Sequence, residues 1–318
     1  MINMRAVWLT EFGEPGVLIP GEAPDPVPGP GEALIAVTFA GVTFVETQFR
    51  AGRPGPFRAE PPVIPGNGVG GVVLAVGAGA DAHLVGARVV TSLTGSGGYA
   101  ERVVVDAAAP LPVPDGLALD DAVALLADGR TATALIRAAG VSAGERVLVE
   151  AAAGGVGSLL VQMARNAGAT VIAAAGGARK TAVAADLGAH STVDYTLPEW
   201  ASRVDGPVDV VFDGVGGAIG AAAFGLLGRG GRHFSYGLAS GAWTEISEEE
   251  AAARGVTVRR GPLGSPADLR AATEWVLAEG ANGRVKPLVG QRFPLDRAAD
   301  AHRAIETRAT IGKTLLEV

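Results

Sequence analysis

The sequence predicts an α/β protein of two regions, a β-barrel-like domain followed by a doubly wound parallel sheet. Three observations carry this. Up to about residue 115 the chain is rich in short strand patterns and tight turns and has no long helical pattern. From Asp115-Gly116 onward strand and helix patterns alternate, as in a parallel sheet covered by crossover helices. The segment VLVEAAAGGVG at 147–157 passes from a buried strand through a glycine turn into an amphipathic helix.

Taken in order, 4–9 (MRAVWL) reads as a strand, and 20–31 (PGEAPDPVPGPG) as a spacer in which no helix or central strand runs. Strands follow at 32–40, 69–76, 87–92 and 100–105. Between the first two lie AGVTFVETQFRAG and a turn-rich stretch. Helical patterns cover 118–127 and 131–139. The alternation then runs strand 146–150, helix 156–166, strand 170–175, helix 178–187, a short strand at 191–193, strand 208–213, helix 218–227 and strands at 231–235 and 255–260. Helix 267–279, the extended KPLVGQRFPL, helix 296–307 and a closing strand at 313–318 complete the chain.

Composition narrows the function. With 33 acidic against 26 basic residues the net charge is −7, which argues against a nucleic-acid surface. There is no cysteine, so neither a disulfide nor a thiolate-held metal can form. The four histidines show no metal-binding spacing, and no metal site is expected. No stretch has the apolar length of a membrane span or a signal peptide, so the expected setting is the cytoplasm.

A strand–turn–helix junction built from small residues aims amide groups and a helix dipole at one point, and lets a diphosphate approach closely. The positions are Ala151, Gly154 and Gly157, a dinucleotide-binding fingerprint with alanine first; the contacts fall on Ala153, Gly154, Gly155, Val156 and Gly157. An NAD-type site needs an acid at the end of the next strand. Here that strand ends in Gly176-Gly177-Ala178-Arg179-Lys180, where Gly176 leaves room for a 2′-phosphate and Arg179 or Lys180 can neutralise it. Two later strands end in similar turns, adding Gly214 and Val215, then Tyr236, Gly237, Leu238 and Ser240. The cofactor predicted is NADPH.

With these motifs the chain resembles the zinc-independent, zeta-crystallin-like quinone oxidoreductases of the medium-chain dehydrogenase/reductase superfamily. The resemblance runs the whole length, through EFGEPGVL, AGVTFVETQFRAG, GGYAERVVV, LLADGRTATALI, AAAGGVG, DVVFDGVGG and GKTLLEV. It implies a GroES-like catalytic domain of residues 1–118 and 262–318, and a Rossmann domain of 119–261. It further implies reduction of a quinone or an α,β-unsaturated carbonyl in the cleft between the domains, and a homodimer joined through the edge strand at 255–260. Zinc-bearing relatives have Gly-His-Glu where this chain has Gly66-Asn67-Gly68, so hydride transfer without a Lewis acid is implied. By the same resemblance the substrate loop is 41–50, with Thr43 and Gln48 as candidate donors to a carbonyl oxygen and Thr131 beside the nicotinamide. Tyr195 and Lys313 are implied cofactor contacts. The family's usual Asn, Asp and Tyr are replaced here by Thr43, Glu46 and Gln48. Two other readings stand beside this one: an enoyl or enone reductase of a biosynthetic pathway, and an NADPH-binding protein without turnover.

Overall fold

The computed structural model describes residues 3–261 and 263–318. Pro262, at the expected start of the second catalytic segment, lies outside them. In chain order the elements are β1 (Asn3–Leu9), β2 (Leu18–Pro24), β3 (Glu32–Val42), α1 (Phe44–Arg50), β4 (Gly68–Val76), β5 (Arg88–Ser92), β6 (Arg102–Asp106), β7 (Leu111–Pro112), α2 (Leu119–Ala124) and α3 (Arg130–Ala139). There follow β8 (Arg146–Glu150), α4 (Gly155–Asn166), β9 (Thr170–Ala175), α5 (Ala178–Asp186), β10 (Ser191–Asp194), β11 (Val208–Asp213), α6 (Gly217–Gly225), β12 (Leu227–Ser235), α7 (Glu248–Arg254) and β13 (Thr257–Arg260). Last come α8 (Pro266–Ala281), β14 (Val289–Pro294), α9 (Ala298–Glu306) and β15 (Lys313–Glu317).

The contacts divide the chain into two compact units, Met1–Ala127 with Glu274–Val318, and Asp128–Thr273. The first holds a two-stranded sheet, β1 with β2, and a seven-stranded sheet in the order β14-β15-β3-β4-β5-β7, with β6 also pairing β3. This path is open: among the described residues no pairing joins β14 to β7 to complete a barrel. The spacer expected at 20–31 is partly strand. Pro20 and Pro24 pair with Val7 and Asn3 on an edge, where a residue without an N–H is tolerated. The core of this unit is built from Val7, Ile35, Val69, Val73, Val89 and Leu316 with Tyr99.

The second unit is a six-stranded sheet in the order β10-β9-β8-β11-β12-β13, parallel throughout. Its central strands are near-continuous apolar runs such as Val147–Val149 and Val210–Phe212, as strands buried on both faces must be. Strand order reverses between β8 and β11. At such a switch point the crevice outside the carboxyl ends of the strands takes ligands. Among the described residues no helix is long and apolar enough to cross a membrane.

Candidate functional site

At the end of β8 the turn is built for close approach. Ala151, in the first glycine position of the fingerprint, has φ 48°, a left-handed conformation that a Cβ disfavours. The Gly154 amide donates to the Ala151 carbonyl at 2.7 Å. A Cβ on Gly157 would run into that same carbonyl, so only glycine lets α4 start this near the strand. Ala153 is buried beneath the turn. The first-turn amides at Gly155, Val156 and Gly157 have no intrahelical acceptors by position and carry the positive end of a 12-residue helix. Asp128 sits at the same place: its carboxylate lies where a Cβ on Gly155 would go.

The end of β9 holds the expected basic residues and one unexpected acid. Gly176 is covered by Tyr195, whose ring carbon Cε2 would lie 3.1 Å from a Cβ there, so these two predicted contacts come together. Arg179 is exposed and Lys180 half-buried in the first turn of α5. The sequence places no acid here, yet the parallel register of β10 on β9 sets Asp194 opposite Ala175. Asp194 Oδ1 accepts from the Gly177 amide at 2.9 Å and from the amide and hydroxyl of Thr196. Those hydrogen bonds hold its carboxyl below the usual carboxylate range.

The turns after β11 and β12 pack on one another. Ser240 donates its amide to the Val215 carbonyl at 2.8 Å, and a Cβ on Gly237 would meet the Gly214 carbonyl at 2.5 Å. Tyr236 Oη donates to the Glu150 carbonyl at 3.2 Å. Leu238 is half-buried and Ser240 exposed. The Val215 amide is already engaged: it donates to Glu150 Oε2 at 3.2 Å and Asp213 Oδ1 at 3.1 Å. Asp213 also accepts from the Gly216 amide, Ser235 and Thr244, whereas Glu150 Oε1 is buried without a partner. Burial first, and then the neighbouring Asp213 charge, push the Glu150 carboxyl well above its ordinary range. Thr131 lies one residue into α3, whose N-cap is Gly129, so it does not cap that helix.

In the first unit a recess of about 10 Å³, lined by Gly41, Thr43, Glu46, Asn67, Leu126 and Lys313 among others, gathers polar groups from separate elements. Thr43 caps α1 in a reciprocal box: the Glu46 amide donates to Thr43 Oγ1, and Glu46 Oε2 accepts from the Thr43 amide at 2.7 Å. The Thr43 hydroxyl donates to Glu46 Oε2 at 2.9 Å, and Oε1 accepts from the Asn67 amide at 2.9 Å. Glu46 is fully buried. Burial raises its pKa, while Lys313 and these hydrogen bonds oppose the rise. Behind it the Tyr99 hydroxyl hydrogen-bonds Glu46 and lies 2.9 Å from His302 Nε2. Burial, with the Arg50 charge nearby, lowers the His302 pKa to about 3. Thr43 and Lys313 therefore share the recess. Gln48 is not among its lining residues; its side-chain amide donates to Thr47 Oγ1.

Sequence reasoning missed Asp128, Glu150, Asp194, Asp213 and the Glu46–Tyr99–His302 chain. Each depends on a register or helix packing that no local pattern announces. Among the described residues no group of three or more His, Asp or Glu side chains is gathered as metal ligands.

Comparisons with known proteins agree with this geometry. Residues 29–115 match the alcohol dehydrogenase GroES-like domain family, and residues 187–316 a family described as zinc-binding dehydrogenase. The chain is 33% identical over 304 residues to a 2-haloacrylate reductase of Burkholderia, covering 91% of each chain. It is 32% identical over 328 residues to the human quinone oxidoreductase, covering 98% of this chain and 97% of that one. It superimposes on the Escherichia coli quinone oxidoreductase complexed with NADPH with a TM-score of 0.90 at 29% identity, covering 99% of this chain and all of the other.

Proposed function

The chain belongs to the quinone oxidoreductase family of the medium-chain dehydrogenase/reductase superfamily, and from that premise we propose that it is an NADPH-dependent reductase of a quinone or an α,β-unsaturated carbonyl that works without zinc. The observation that carries the cofactor is the cradle at Gly154–Gly157, which a Cβ at Gly157 would fill. In this reading Ala153–Gly157 hold the diphosphate, Gly176, Arg179, Lys180 and Tyr195 the adenosine phosphate, and Gly214, Val215, Tyr236, Gly237, Leu238 and Ser240 the rest of the cofactor along the strand ends. Bound NADPH supplies a hydride. Thr43 and Thr131 belong to the substrate and nicotinamide side, and Gln48 acts on Thr43's helix rather than in the recess. The homodimer, with β13 as the joining edge, and a cytoplasmic setting are part of the same proposal.

Similarity to a 2-haloacrylate reductase favours activated C=C bonds as a second substrate class. Steady-state NADPH oxidation against a panel of quinones and enones tests the proposal. Turnover with quinones supports the first class, and turnover with enones alone moves the protein to the second. Tight NADPH binding without turnover on either refutes the reductase reading.

A further inference from the structure

The recess beside Thr43 is too small for a ring and the right size for one atom: about 10 Å³ is about the space a single water oxygen needs. Lys313, Asn67, Ser92 and Thr43 are polar side chains that line it beside Glu46, and the Thr43 hydroxyl already donates to Glu46 Oε2. Lys313 is 3% exposed, at the start of β15, where Thr314 pairs with Val42 and so brings the lysine alongside Gly41 and Thr43. Gly41 makes the path: a Cβ there would lie 3.2 Å from Lys313 Cε, so any larger residue would press on the lysine stem. Glu46 is the charged group acting on this space, with Tyr99 and His302 behind it; Gly68, Val123, Leu126 and Ala127 close the rest without charge. A lysine lining a one-atom space is placed to donate to an oxygen that gains negative charge there.

We propose that this recess receives the substrate's carbonyl oxygen and that Lys313 is the proton donor of the reduction, with Glu46, itself held by Thr43, as the positioning residue. This rests on the reductase reading above. As the substrate carbon gains hydride, its carbonyl oxygen becomes an enolate or phenolate. The Lys313 N–H bond breaks and an O–H bond forms on that oxygen, leaving a neutral amine that regains a proton from water. NADPH is oxidised by two electrons and the substrate is reduced by two, so atoms and charge balance.

The direct test needs no turnover. 4-Nitrophenol, whose ionised form is coloured, is titrated into the enzyme below its free pKa. The wild type is expected to bind it as the phenolate, while Lys313→Met binds it about tenfold or more weaker and uncharged. Lys313→Arg, which keeps the charge but is a far poorer acid, is expected to bind the phenolate yet lose about 100-fold or more in kcat. Gly41→Ala, which moves the stem without removing the charge, is expected to weaken phenolate binding. This assignment gives Lys313 to the substrate oxygen and not, as the resemblance implied, to the cofactor, so NADPH affinity is expected to stay within about threefold in all three. Unchanged phenolate binding in Lys313→Met, or full kcat in Lys313→Arg, overturns the proposal. A loss of NADPH affinity equal to the loss of turnover also overturns it, because Lys313 is then a cofactor ligand. Phenolate binding that depends on Lys313 in an enzyme without NADPH turnover upholds the oxyanion site and refutes the reductase reading instead.

Discussion

Glu46 and Glu150 are both fully buried glutamates, one in each unit, and their surroundings treat the same charge in opposite ways. Around Glu46 every neighbour is a donor or a cation: two backbone amides, the Thr43 and Tyr99 hydroxyls, and Lys313. Around Glu150 the nearest charge is a second carboxylate, one amide is shared between the two, and Oε1 has no partner. Burial alone pushes both carboxyls upward; partners decide how far. The partners of Glu46 hold that rise down, whereas the Asp213 carboxylate beside Glu150 adds to it.

The largest expected break in this contrast is Glu46→Ala. It leaves the Thr43 and Asn67 amides without their acceptor and removes the charge that faces Lys313, and is expected to lower unfolding free energy by roughly 3 kcal/mol in urea titration. Glu150→Gln is expected to do the reverse. Its amide can donate to Asp213 and cannot ionise, so a gain of about 1 kcal/mol is expected at neutral pH. A loss of that size there would mean that Glu150 is ionised and the contrast is wrong.

The pH dependence has a sign in each unit. Glu150 has a raised native pKa, so it contributes stability below its ordinary value of 4.5 that is lost as pH rises toward the native one. Wild-type denaturation midpoints are therefore expected to fall with rising pH over that range more steeply than those of Glu150→Gln. His302 has a depressed native pKa of about 3 against 6.5, so its contribution is present above 6.5 and drains away as pH falls toward 3. His302→Gln is expected to flatten that acid limb in the same midpoint series, and an unchanged limb would remove His302 from the account.

Two smaller effects sharpen the picture of the nucleotide turn. Ala151→Gly relieves a left-handed alanine and is expected to raise stability by up to about 1 kcal/mol by calorimetry. Asp128→Asn removes the negative charge at the start of α4 and is expected to tighten NADPH binding a few-fold, an effect of about 0.3–1 kcal/mol.

What could be read from the sequence follows the same division. The buried parallel strands are continuous apolar runs and their glycine turns are local, so the sheet and its fingerprint are visible in Val147–Gly157 and Val208–Gly217 without any fold. The edge strand through Pro20 and Pro24 is not, because proline argues against strand wherever pairing on both sides is assumed. Partners brought together by register are hidden as well. Asp194 reaches Gly177 through the β9–β10 pairing, and Lys313 reaches Thr43 through β15 on β3. Glu46 likewise meets Asn67, and Glu150 meets Val215, across long stretches of chain.

The measurement that bears most directly on the central claim is a fluorescence titration of NADPH and NADH on the wild type and on the Arg179→Ala/Lys180→Ala double variant. The account predicts that the wild type binds NADPH at least about tenfold more tightly than NADH, a difference of about 1.4 kcal/mol, and that the double variant narrows that gap. Equal affinity for the two cofactors in the wild type would contradict it.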